Sequence, residues 1–118
     1  MTNADDRAGD VAQLQATRQG AVASRTSLQK AKADALRPPG DQEKIAACDA
    51  AMADCDTVIA KCDAAIADVI VAGIDLDQMK TLSKKMEDDA AALDAAVSDL
   101  NAIKDLAGTL TDVLGAFG

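Results

Sequence analysis

Cys48, Cys55 and Cys62 recur at seven-residue spacing within IAACDAAMADCDTVIAKCDAAIADV (45–69), and an aspartate follows each of them. Thiols and carboxylates this close in sequence raise metal ligation, disulfide bonding and nucleophilic catalysis. Seven residues of helix separate two Cα atoms by roughly 10.5 Å along the axis, whereas a disulfide needs them within about 7 Å. No two of the three can bridge within one straight helix. An odd count also leaves one thiol over in any monomeric scheme. A zinc site takes four donors around one ion, commonly cysteine and histidine. The chain has no histidine, and one ion cannot reach thiols two turns apart. An iron–sulfur cluster on these three fails for the same reason. A catalytic thiol needs a base or a cation beside it. Asp49, Asp56 and Asp63 have the wrong sign and raise a neighbouring thiol's pKa. Packing is the reading that remains. A parallel meeting of two copies would set like cysteines face to face, which requires an oxidising setting.

The carboxylates form no better constellation. Asp54 and Asp56 point roughly 200° apart on a helix. Asp75 and Asp77 sit at a helix start, and Glu87, Asp88 and Asp89 make the densest run. None follows the calcium-loop pattern of alternate oxygen donors around a central glycine. None gives the paired Glu and Glu-x-x-His donors of a di-iron bundle. A solvated acidic face accounts for them, with weak cation binding at Glu87–Asp89 as the alternative. Glycine-rich phosphate loops and dinucleotide fingerprints are missing, and a Ser–His–acid set is impossible without histidine. No catalytic, metal-ligating or cofactor-binding residue is assigned, and no small-molecule substrate is expected.

Three periodic stretches must position these side chains. The clearest spans 42–72. Its apolar seam is Ile45, Cys48, Met52, Cys55, Ile59, Cys62, Ile66 and Val69, in alternating steps of three and four. These eight are the candidate packing or interface residues. Ala51, Val58 and Ala65 widen the stripe on one side, and Ala46, Ala53, Ala60 and Ala67 on the other. A helix apolar over so wide an arc needs neighbours on more than one face.

The first stretch, about 5–37, has an apolar line of Val11, Leu14, Ala21, Val22, Leu28, Ala35 and Leu36, interrupted by Arg18, Arg25 and Lys32. Pro38, Pro39 and Gly40 end it. Asp41 is then a good N-cap. Gly73 marks a second break, with Asp75 and Gln78 as a capping box and Ile74 and Met79 as a hydrophobic staple; a continuous helix kinked at Gly73 is the alternative. The third stretch, about 76–114, steps by three or four from Met79 through Leu93, Val97 and Leu100 to Leu114. Residues 115–118 are expected to fray.

The predicted fold is all-α: a single domain over 1–118, an elongated antiparallel up-down-up three-helix bundle with coiled-coil-like packing. Each segment would be between about 45 and 60 Å long. Residues 1–37 carry a net +2, and 38–72 and 73–118 carry −5 each. The mildly basic first helix can lie against either acidic partner.

Composition limits function further. The chain has 118 residues, 27 of them alanine, with one aromatic, Phe117, and a net charge of −8. An acidic surface without stacking aromatics is unsuited to nucleic acid. No segment approaches the roughly 18 apolar residues of a spanning helix, so no integral membrane insertion is expected. The polar, acidic start gives no signal-peptide pattern, which makes the cytoplasm the expected location and leaderless export the alternative. The expected role is a non-enzymatic module acting through a protein partner or self-association. Two alternatives are an exported or secretion-associated structural helical protein, and a peripheral membrane binder. The second would use the amphipathic segment IKDLAGTLTDVLGAFG through Ile103, Leu106, Leu110, Val113, Leu114 and Phe117.

Overall fold

The computed structural model describes residues 4–68 and 73–117. Four helices follow in order: α1 (Ala4–Ala35), α2 (Gln42–Asp68), α3 (Leu76–Ala95) and α4 (Leu100–Ala116). They form an all-α rod of 58 × 20 × 17 Å with coiled-coil-like contacts between helices. The three-helix expectation is corrected: the third stretch is two helices, and the bundle has four.

The break lies at 96–99, between Leu93 and Leu100. The Ala96 N–H donates to the Leu93 carbonyl at 3.0 Å, and the Asp99 N–H donates to the Ala96 carbonyl at 2.9 Å. The Asp99 carboxylate then accepts from the Asn101 N–H at 2.9 Å and caps α4. Four connecting residues are close to one helical turn, so apolar spacing passes through the loop in phase. Periodicity alone therefore reads straight across it. Folding back buries Ile103, Leu106, Leu110 and Val113 completely. A straight helix of that length would leave them without neighbours beyond the end of α1.

The other two boundaries rest on local chemistry. Gly40 has φ +80°, the left-handed region that glycine enters without penalty. The Gly40 N–H donates to the Arg37 carbonyl at 2.7 Å, and the Asp41 N–H donates to the Ala35 carbonyl at 2.9 Å. The Asp41 carboxylate accepts from the Lys44 N–H at 3.1 Å. Gly73 also has positive φ, and the Asp75 carboxylate accepts from the Gln78 N–H at 3.0 Å. The chain turns there and does not continue as a kinked helix. Residues 69–72, the expected end of α2, lie outside the described residues, and Val69 is among them.

Packing contacts set the helix directions. Arg18 meets Asp63 at 2.7 Å, Arg25 meets Asp56 at 2.9 Å, and Lys32 meets Asp49 at 2.7 Å. These three rungs, seven residues apart on both strands of the ladder, make α1 and α2 antiparallel. Gln13 and Thr17 contact Ser83, and Lys30 reaches Asp94 at 3.9 Å, so α3 runs parallel to α1. Lys104 lies 3.7 Å from Glu43, and the Lys61 ammonium sits 5.9 Å above the Phe117 ring, so α4 runs parallel to α2. The order is up-down-up-down. α1 and α4 each pack against both α2 and α3, which places α2 and α3 at opposite corners.

That arrangement covers α2 on two sides, with α1 and α4. The expected fraying of 115–118 is also corrected for its described part. Ala116 is buried, and its carbonyl accepts from the Asp75 N–H at 2.8 Å, tying the end of α4 to the start of α3. Gly118 lies outside the described residues. Between α1 and α3 the close approach centres on Gly20. A Cβ there would come within 2.7 Å of the Met86 Cε.

The ladder contributes less than its regularity implies. Its side chains stand roughly one-third to three-fifths exposed, and an exposed pair is worth about 1 kcal/mol or less. Arg25→Ala should therefore lower stability by under about 1 kcal/mol in urea titration, with most of the loss gone in high salt. A loss several times larger would show the rung to be shielded from solvent.

Candidate functional site

The thiols come first. Cys48, Cys55 and Cys62 are fully buried and free of disulfides. Their column faces the interior between α2 and its neighbours, beside Ala51, Val58 and Ala65. Burial is the main cause that pushes all three pKa values up. Asp49 adds to it at Cys48, with Lys32 opposing. Asp56 and then Asp54 add to it at Cys55, which is raised from 9.0 to about 12. Asp63 adds to it at Cys62, raised to about 11, with Arg18 opposing. A thiol held protonated and away from solvent is a poor nucleophile at neutral pH. Nor can it meet a second copy's thiol across a surface, as the parallel pairing would require.

The rest of the seam divides. Met52 is buried, whereas Ile45, Ile59 and Ile66 are half-buried. Ile59 and Ile66 pack against the main core. The aspartates after the cysteines point outward to the ladder. Of the dense acidic run, Asp89 accepts a hydrogen bond from the Thr109 hydroxyl, while Glu87 and Asp88 are exposed. Among the described residues no three thiols or carboxylates converge in a way that could hold a metal ion.

The concave surfaces are open grooves. One of about 480 Å³ lies between α3 and α4, with Lys85, Asp89, Lys104 and Asp105 on its walls. Another of about 380 Å³ lies near Asp10, Gln13, Leu76 and Lys80. Neither has an aromatic wall. Every buried side-chain polar atom among the described residues has a hydrogen-bond partner, so no donor or acceptor waits for a ligand in the interior.

One of these satisfied groups joins α1 to α3. The Thr17 hydroxyl lies 2.7 Å from the Ser83 hydroxyl and donates to the Gln13 carbonyl at 3.0 Å. The Gln13 amide lies within 3.3 Å of both hydroxyl oxygens. Thr17 is fully buried and Ser83 nearly so. This cluster aligns α1 with α3 through polar contacts where Gly20 lets them approach. Thr17→Val should cost about 1–2 kcal/mol, because Ser83 loses a buried partner. Adding Ser83→Ala should cost less than the two single changes summed, and a double-mutant cycle by urea titration measures that coupling. Strict additivity would mean the two hydroxyls do not act together.

The C-terminal amphipathic segment has already used its apolar face. Ile103, Leu106, Leu110 and Val113 are fully buried, and Leu114 and Phe117 pack half-buried against the same core. The membrane-surface reading is corrected accordingly. No helix among the described residues is long and apolar enough to cross a membrane.

A different surface remains. The large apolar residues that stand exposed among the described residues are Val22, at 42%, and Leu36, at 56%. Val22 lies on the outer face of α1, and Leu36 follows its last residue on the same side, with its N–H donating to the Lys32 carbonyl at 2.9 Å. That face also presents Gln15, Gln19, Thr26, Gln29 and Ala33, all exposed. Their steps alternate between four and three from Gln15 to Leu36, so they form one line along the helix. No charged residue interrupts it. The apolar line read from sequence mixed two faces: Leu14, Ala21, Leu28 and Ala35 are the buried ones. The sign that separates the outer line is the absence of charge at heptad spacing, in a chain with 27% charged residues. No protein-family model, curated protein or solved structure matches the chain.

Proposed function

We propose that this chain is a non-enzymatic helical module that works through protein contacts, with the outer face of α1 as its contact surface. The observation that carries this reading is the uncharged line from Gln15 to Leu36, with Val22 and Leu36 exposed on it. Large apolar side chains left in water on an uncharged helical face suit a partner helix, which would read them at heptad spacing. The sealed thiols and open, mixed-charge grooves offer a substrate little by comparison.

A photo-crosslinking side chain at Val22, in cells of the native host, tests the reading. The expected result is a discrete protein adduct that disappears when Leu36→Asp is added. The same label at Lys84, exposed on α3, should give none. No adduct at Val22, or equal labelling from both sites, would count against the α1 face as a contact surface.

A further inference from the structure

We infer that the partner for the α1 face is a second copy of this chain, docked antiparallel about a two-fold axis. This deepens the contact-module reading and rests on it. The first support is charge. Each copy carries −8, so most approaches between copies are repulsive. The α1 line is uncharged, and one flank is the ladder, where Arg18, Arg25 and Lys32 are each already paired with an aspartate. On the other flank, Lys30 is paired with Asp94. The outer faces of α3 and α4 instead carry exposed charge of both signs with an acidic excess, Glu87, Asp88, Asp94, Asp105 and Asp112 against Lys80, Lys84, Lys85 and Lys104. A charged partner would be drawn to those faces. The neutral α1 face selects a partner surface that is also neutral, and this chain carries one.

The second support is self-complementarity. A two-fold contact requires that residue i meet j while j meets i. In the antiparallel register that overlaps the line most fully, Val22 faces Thr26 of the second copy and Gln19 faces Gln29. Ala12, one step beyond Gln15 on the same face, then lies opposite Leu36. A small residue receives a large one, and two primary amides meet, each able to donate and accept. The overlap is roughly 36 Å long. A helix pair of that length covers roughly 400–500 Å² per copy, about half of the usual 800 Å² for a stable complex. The association is therefore reversible and concentration-dependent.

Sedimentation equilibrium on the full chain, from about 5 to about 500 µM, tests this, since a contact of that area falls in the micromolar range or weaker. The expected mass starts near 12.0 kDa and rises towards twice that value. Val22→Asp with Leu36→Asp in one chain should stay monomeric throughout, with unchanged helicity and urea midpoint. Thr81→Asp with Ala91→Asp adds the same charge on the outer face of α3, and should dimerise like the parent. A parent chain monomeric at the highest concentration overturns the inference. So does a dimer that survives Val22→Asp/Leu36→Asp, or one lost equally with the α3 changes. These outcomes are separable from failure of the contact-module reading. A Val22 adduct to a different protein, beside a monomeric parent, leaves that reading standing while self-docking falls.

Discussion

Leu106→Ala should destabilise the protein by about 2–5 kcal/mol, the usual cost of removing a leucine side chain from a packed core. Leu106 is fully buried, together with Ile103, Leu110 and Val113 on the same face of α4. Alanine is the better helix former, so intrinsic propensity opposes the loss and the whole effect is tertiary. The 17-residue α4 has Gly108 in its interior, and such a helix draws most of its stability from tertiary packing. Its order therefore depends on the contacts that Leu106 anchors. Total stability for a domain of this size is about 5–15 kcal/mol, so the change is a large part of the whole. Leu36→Ala, at a side chain more than half exposed, should shift stability by no more than about 0.5 kcal/mol. Urea midpoints compare the two directly. Equal effects would mean that α4 is not packed against α2 and α3, and would reopen the straight third helix.

The second large effect is alkaline. Cys55 is raised to about 12 and Cys62 to about 11, against 9.0 for an ordinary thiol. Above about pH 9 the unfolded chain releases these protons while the folded chain keeps them, so the folded state binds more protons and stability falls as pH rises. The contribution is complete below pH 9 and is lost as pH climbs towards 11 and 12. By about pH 10 each of the two thiols has withdrawn on the order of 1 kcal/mol, one pH unit's worth. Lysines and exposed ion pairs titrate in the same range, so the parent must be compared with Cys55→Ala/Cys62→Ala. Between pH 7 and about pH 10 the parent should lose about 2–3 kcal/mol more than that variant. Parallel pH curves for the two proteins would falsify the buried, protonated state of the thiols. Reaction with a thiol reagent gives a second readout: slow in the native state at pH 8, and rapid on unfolding.

Both effects concern a core whose composition is legible in the chain. The heptad at Cys48, Cys55 and Cys62 announces a packed column, and elementary distances exclude bridges and shared ions among its members. The capping groups at Asp41 and Asp75 and the glycines at 40 and 73 are local devices, each readable within a few residues because each satisfies its own neighbours' backbone. The all-helical class follows from the same kind of local information.

What needed the tertiary structure is the loop at 96–99 and the choice of faces on α1. The Asp99 cap is a weak local signal, and a four-residue loop leaves the apolar spacing in phase. The break is favoured because folding back gives Ile103 to Val113 neighbours on α2 and α3, a gain distributed over distant segments. On α1, Leu14 and Val22 look alike in a periodic reading. One is buried and the other exposed only because α2 and α3 occupy two sides of that helix and leave the third to water. Local spacing determines which residues can share a face, whereas burial is decided by which other helices arrive there.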